Sequence, residues 1–360
     1  MRRPGAILGI LIAVTLGASP QPVQAAAPLL LLYVTEYYDG RLSIVDPVAH
    51  TVRKTIDVGG APWSVVISPD RQHAYVANDT ANSISVIDTA TNMVTDSIDI
   101  GGTSNGLATT RDGSRVYVAV RGTGEVAVID TATNSRVTSI AVVGSDGPTG
   151  LAITPNGKDL YVANYIYDSV AVIDLTTNAI VATIPLAGGP FWVAITPDGA
   201  YAYITQYFGG EVSVIDTNSR AIVKTIAVGD TPRELVVTPD GTRVYVGVNR
   251  RDSIAVIDVA TNTLTATIAS PNSPLGMVIA PDGHLYVADE LSGRLQIVDI
   301  DSNAEADGIS LPFRPWGLAI LGPRAPEAKE ECKDGGWETF EFPRDFKNQG
   351  DCIKFVNTGK

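Results

Sequence analysis

The chain repeats itself about every 42 residues, and repetition at that length leaves few folds open. A Tyr followed by a β-branched residue stands at Tyr33, Tyr75, Tyr117, Tyr161, Tyr203, Tyr245 and Tyr286. An Asp closes a Val-Ile or Ile-Val pair at Asp46, Asp88, Asp130, Asp174, Asp216, Asp258 and Asp299. Each Asp lies 13 residues after its Tyr, and both series step by 42, 42, 44, 42, 42 and 41 residues. Seven copies of one unit are therefore present, with insertions held to a residue or two.

Each unit reads as four short strands. In the fifth, the Phe191 to Ile195 stretch is followed by Thr196-Pro197-Asp198-Gly199, which has Pro, Asp and Gly in the order of a type I turn. Tyr203-Ile204-Thr205 is the second strand, Val212 to Ile215 the third, and Ile222 to Val228 alternates as a fourth that ends at Gly229. Apolar inner strands without alternation, such as Leu151-Ala152-Ile153, are expected to be buried on both faces. Helical periodicity is absent from the repeats, so the fold class is all-β. Four strands per 40 to 45 residues is the signature of a propeller blade. The inner-strand marker runs from Trp63–Ile67 to Trp316–Ile320, starting one unit late and ending one unit late. The last segment can complete the first blade, closing a seven-bladed β-propeller over residues 29–321 without an exposed sheet edge.

Tyr75-Val76-Ala77-Asn78, Tyr161-Val162-Ala163-Asn164 and the recurrent Val-Ile-Asp-Thr followed by Ala-Thr-Asn resemble the YVTN-repeat family of secreted propellers. The resemblance covers the whole ring and implies the fold. For activity it implies a choice, because that family and its lactonase-like relatives include surface-layer proteins, binding proteins and enzymes.

The N-terminus points outside the cytoplasm. Arg2 and Arg3 precede an apolar run from Ala6 to Ala18, and Val23-Gln24-Ala25 offers small residues for cleavage, so residues 1–25 read as a removable signal peptide. That run is shorter than the ~20 residues a bilayer needs, and no later stretch reaches it, so no membrane span is expected after cleavage. After a linker at 322–331, residues 332–360 carry both cysteines, Cys332 and Cys352. In an oxidising compartment they are expected to pair, closing a small C-terminal element with roughly 3 kcal/mol in the chain-entropy model.

Residues common to all seven units serve the scaffold. The marker Asp residues are expected to cap the turns that follow them, and the marker Tyr rings to pack between blades. Function is expected where the repeats disagree. Strand direction alternates, so one face carries the hairpins from strand two to three and the connections between blades. There the residue after the usual Pro varies: Trp63, Asn105, Thr149, Phe191, Arg233, Leu275 and Trp316. Tyr37, Tyr38, Tyr165, Tyr167, Tyr207 and Phe208 lie on the same face, and Tyr201 is the one clear aromatic exception besides the markers. Blade assignment predicts two aromatic clusters beside the pore: Tyr37, Tyr38, Trp63 and Trp316 in one, Tyr165, Tyr167, Phe191, Trp192, Tyr207 and Phe208 in the other. The sixth blade adds Arg233, Arg250 and Arg251, and the third adds Arg121.

Flat rings with Arg clamps suit a glycan, a peptide or a carboxylate-bearing ligand. The expected role is a non-catalytic binding or surface scaffold, monomeric, with a small ligand, a glycan or an envelope protein as partner. The competing structural reading is that the rings plug the pore mouth. The competing function is a metal-dependent lactonase-like hydrolase or lyase. Oxygen donors at Glu36, Asn78, Asn164, Gln206 and Asp289, with Asn105 and Glu234, could converge on calcium, although Asn78 and Asn164 also suit hairpin caps. His50, His73 and His284 lie away from the variable face, which leaves it no general base. No phosphate-cradling glycine loop or haem-attachment motif occurs, so no cofactor is expected. Lys and Arg number 26 against 39 Asp and Glu, a charge of −13 that becomes −15 once Arg2 and Arg3 leave with the signal. That balance opposes nucleic acid as a partner.

Overall fold

In a computed structural model, which describes residues 30–142, 147–270 and 272–322, every unit forms a four-stranded antiparallel sheet and the seven sheets make a propeller. The signal peptide, nearly all of the expected linker and the Cys332–Cys352 element lie outside the described residues. Blade one pairs Leu318–Leu321 with Leu31–Glu36, then Arg41–Asp46 and Thr51–Asp57. Thus the last strand closes the ring, in register Leu31↔Leu321 to Val34↔Leu318. This strand starts two residues later than the sequence pattern suggested. Trp316 and Gly317 precede it, yet still reach the blade: the Trp316 N–H donates to the Thr35 carbonyl at 2.7 Å and the Thr35 N–H to that of Gly317 at 2.9 Å. The one helical segment among the described residues is a 3-10 turn at Asn249–Arg251.

Apolar side chains on second and third strands are sealed between neighbouring sheets, so the core is seven layers rather than one. One layer joins Tyr33, Leu42 and Ile44 of blade one to Val65, Val76 and Ile87 of blade two. Another joins Tyr286 and Leu295 of blade seven to Leu32 and Val34 of blade one, which makes the closure hydrophobic as well as hydrogen-bonded. All seven marker tyrosines are at most 3% exposed. Several span the blade boundary through their hydroxyls: Tyr33 donates to Asn92 Oδ1 at 2.7 Å, Tyr203 to Asn262 Oδ1 at 2.5 Å and Tyr245 to Asn303 Oδ1 at 2.7 Å. Those asparagines have φ of 52 to 54°, a left-handed conformation that Asn tolerates well.

The marker Asp residues cap their turns. Asp46 accepts the Val48 and Ala49 N–H groups, Asp174 those of Thr176 and Thr177, and Asp216 that of Ser219. Inner strands differ from the expectation of burial on both faces: Pro148–Ile153 and Pro190–Ile195 each end in two half-buried residues. Outer strands such as Ala221–Ala227 are exposed except for one inward residue.

One irregularity recurs where the inner strands begin. Pro148 pairs with Asn164, but the next inner-strand partner is Leu151 with Val162, and the same break recurs in the other inner strands that open on a ladder pair, such as Pro190 to Val193 and Pro232 to Leu235. The residues just after this opening pair leave the ladder, as bulged residues do, and their side chains are re-aimed. The first of them is the variable position.

Candidate functional site

At the residue after the variable position the blades come close together. Gly106, Gly150, Gly276 and Gly317 occupy it in four blades and Ser64 in a fifth. A Cβ at Gly317 would lie 2.6 Å from the Trp63 carbonyl oxygen, and one at Gly106 2.5 Å from that of Thr149. Only a hydrogen fits such an approach. Trp192 and Glu234 stand at the same position in blades five and six. Trp192 turns away from the other rings and packs against the core layer between blades five and six. Glu234 remains in the channel.

The variable residues Trp63, Phe191 and Trp316 meet the hairpins in two aromatic groups, without the Trp192 expected in the second. Tyr37 stacks on Trp316 with centroids 4.7 Å apart, and Trp63 meets Trp316 at 5.0 Å and Tyr37 at 5.6 Å. Tyr38 touches the same indole edge-on at 6.0 Å. Across the channel Tyr165, Phe191 and Tyr207 lie 5.6 Å from one another, and Phe208 stacks on Tyr165 at 5.1 Å. Each such pair adds about 0.5–1.5 kcal/mol beyond its buried area.

Arg233 joins the two groups. Its guanidinium carbon is 5.5 Å from the Phe191 centroid, 5.3 Å from Tyr207 and 5.7 Å from Trp316. Beneath it Trp63, Phe191, Glu234, Leu275 and Trp316 enclose a cavity of about 10 Å³, the size at which a single water is just accommodated. The mouth is closed in this conformation. Arg250 and Arg251 share the face but not the cluster: both are exposed on the hairpin of blade six, and Arg251 sits 3.8 Å from Asp230.

Polar contacts fix the surroundings. The Tyr37 hydroxyl donates to Asp79 Oδ2 at 2.8 Å, and burial together with that carboxylate pushes the phenol up to about 12. Burial raises the Glu234 carboxyl to about 8, against the pull of the Met277 N–H, which donates to its Oε2, and of Arg233. A second chain at the mouth runs from Asn249 Nδ2 to Ser273 Oγ and on to Glu290 Oε2 at 3.1 Å.

Three of the oxygen donors considered for calcium are tied within their own blades. Asn78 donates to Ser85 Oγ at 2.9 Å, Asn164 to Ser169 at 3.2 Å and Gln206 to Ser213 at 2.9 Å, each across its hairpin. Among the described residues no three His, Cys, Asp or Glu side chains lie together as a metal would require. Glu36 and Asp289 are the carboxylates in this series. Both Glu36 oxygens are buried, and burial lifts the group to about 7 against the pull of the Ser43 hydroxyl; Asp289 is lifted to about 6 by the same cause.

Around the closed mouth the face is apolar and open. Tyr38, Ile166, Tyr167, Phe208 and Leu291 are exposed at hairpin tips. Between blades seven and one a groove of about 560 Å³ is lined by Tyr38, Asp39, Leu291, Phe313 and Arg314, with the Arg314 guanidinium 5.6 Å above the Tyr38 ring. Phe313, Arg314 and Glu290 were not singled out from sequence, because they lie outside the aligned marker positions. Glu234, named from the sequence only as an oxygen donor, carries a further signal there: it interrupts a column of Gly and Ser.

Fold and mouth together define a seven-bladed propeller with one individualised face, a member of the propeller class. A model of YNCE-like beta-propellers matches residues 66–156 and 151–243. No curated protein matches the chain. Hydrazine synthase of Kuenenia stuttgartiensis is a structural neighbour at 21% identity and TM-score 0.66, covering 72% of this chain and 95% of that one. A putative 6-phosphogluconolactonase of Bacteroides fragilis has 19% identity and TM-score 0.69, covering 84% and 100%. The periplasmic gluconolactonase PpgL of Pseudomonas aeruginosa has 17% identity and TM-score 0.66, covering 81% and 99%. These likenesses bear on the fold.

Proposed function

We propose that the chain is an exported, non-catalytic recognition propeller that binds its ligand on the hairpin face. The observation that carries this reading is that the exposed aromatic side chains among the described residues, Tyr38, Tyr167 and Phe208, all stand on hairpins of that face, around a mouth of stacked rings. Tyr38 and Phe208 pack one side against the mouth rings yet stay 60% and 69% exposed, and clustered apolar exposure marks interaction sites. Of a glycan, a peptide and a carboxylate-bearing molecule, a peptide suits the rim best. Aliphatic tips (Ile166, Leu291) stand beside rings and beside charges of both signs (Asp39, Arg314), a mixture that answers varied side chains rather than uniform hydroxyls. The signal-like N-terminus supports export, as does the periplasmic location of PpgL.

The test is a peptide and glycan array probed with the full chain and with Tyr38→Ala and Phe208→Ala. Both side chains are mostly exposed, so thermal midpoints should stay within a few degrees while array binding falls about tenfold or more. Unchanged binding in both variants would remove the rim from recognition.

A further inference from the structure

The channel mouth is a cage whose occupant comes from the chain itself. Phe191, Tyr207 and Trp316 each present a ring within 6 Å of the Arg233 guanidinium carbon. Little else holds that group: Arg233 Nε is buried without a hydrogen-bond partner, and no ion pair of Arg233 is found among the described residues. A guanidinium with its Nε out of water is ordinarily paired with a carboxylate. Here the nearby carboxylate, Glu234, lines the same cavity and takes the Met277 N–H at 3.3 Å instead. Glu234 also replaces the Gly or Ser that five other blades place at this step, so the ring does not need it for packing. Aromatic faces around a desolvated carboxylate favour organic cations over neutral or anionic groups.

We propose that the mouth is a binding site for an organic cation, an alkylammonium or guanidinium group, with Arg233 as a resident stand-in that the incoming cation displaces. The proposal rests on the reading of this face as a recognition surface and names the chemistry of its centre. Arg233 leaves the cage for the wet rim, where its charge is solvated. The ligand cation takes its place over Phe191, Tyr207 and Trp316, above Glu234. A peptide lying on the rim would supply such a group from a Lys or Arg side chain.

The test uses tetramethylammonium as the probe and tert-butanol as its neutral counterpart, titrated at pH 9 into the full chain with tryptophan fluorescence and calorimetry as readouts. Wild type should bind the cation saturably. Arg233→Ala should bind it about tenfold or more tightly, because no internal cation competes, and should discriminate against tert-butanol. Arg233→Met keeps the stem volume without the charge and gives the same comparison should the alanine variant lose its fold. In the Arg233→Ala background, affinity should rise between pH 6 and 9 as Glu234 ionises, and Glu234→Gln should make that profile flat. Equal uptake of tert-butanol, or no saturable cation binding in a folded Arg233 variant, overturns the proposal. Binding to the variant alone, with wild type excluding the probe at the same concentrations, makes Arg233 a permanent plug and overturns displacement. None of these results depends on Tyr38 or Phe208, so the cage and the rim fail separately.

Discussion

Glu36 shows how one atom type changes a site that the fold has already built. In blade five the equivalent Gln206 donates Nε2–H to Ser213 Oγ, which lies 3.4 Å from Thr225 Oγ1; blade one keeps the Ser43 and Thr55 hydroxyls 3.1 Å apart but offers a carboxylate without that donor. Glu36→Gln is expected to restore the donor and to raise stability by about 1–3 kcal/mol at pH 8, measured by urea unfolding. A loss of stability would mean that the carboxylate has an unrecognised partner. Tyr203 is the opposite case, a ring with no exposed surface whose hydroxyl bridges to the next blade. Tyr203→Ala should cost about 3–5 kcal/mol by leaving a cavity. Tyr203→Phe, which loses only the bridge, should cost about 1 kcal/mol. The roles of the marker Tyr and Asp were legible in sequence because seven copies of one residue report a shared geometry.

At the scale of the element, the bulge that opens the inner strand separates scaffold from site. Pro holds the entry, the ladder resumes two or three residues later, and the side chains between are free to differ from blade to blade. Sequence showed the variable column but not the break in pairing, since a bulge leaves no mark in apolar patterning. It therefore extended the closing strand back to Trp316, where the ladder begins at Leu318. That strand is expected to carry the ring. A chain ending at residue 315 leaves the Leu31–Glu36 strand as an open edge and removes Leu321 and Ala319 from the core layer. It should elute as soluble aggregate or unfold at much lower urea concentration, read by size exclusion and circular dichroism. A monomer of native stability would show that closure by Leu318–Leu321 is dispensable.

For the whole molecule, two sets of carboxylates oppose each other across the pH scale. Glu36, Asp289 and Glu234 have folded-state values raised to about 7, 6 and 8 by burial, so they hold protons that the unfolded chain releases. Their contribution is fully present below the unfolded values near 4 and is lost as pH rises through those folded-state values. The seven turn-capping Asp residues are lowered, and their contribution disappears as pH falls below about 4. The thermal midpoint is expected to peak between about pH 4 and 6 and to decline toward pH 8. The triple variant Glu36→Gln, Asp289→Asn, Glu234→Gln should flatten the alkaline decline and leave the acid limb in place. An equal decline in the triple variant would assign it to other groups.

The chain by itself determined the number of blades, the closing partner, the capped turns and the face on which the blades become individual. Each of these follows from local spacing copied seven times. Tertiary structure decided what happens across the channel, where residues from blades one, two, five and six meet although nothing local relates them. It drew Arg233 into the rings and left Arg250 and Arg251 on the rim, although all three belong to the same blade. It also packed Trp192 against the layer between blades five and six and set Glu234 on the wall of the small cavity. The physical reason is that a repeat sets each residue's place within its own sheet, whereas contact across the mouth depends on how bulges aim side chains and on how closely neighbouring backbones approach.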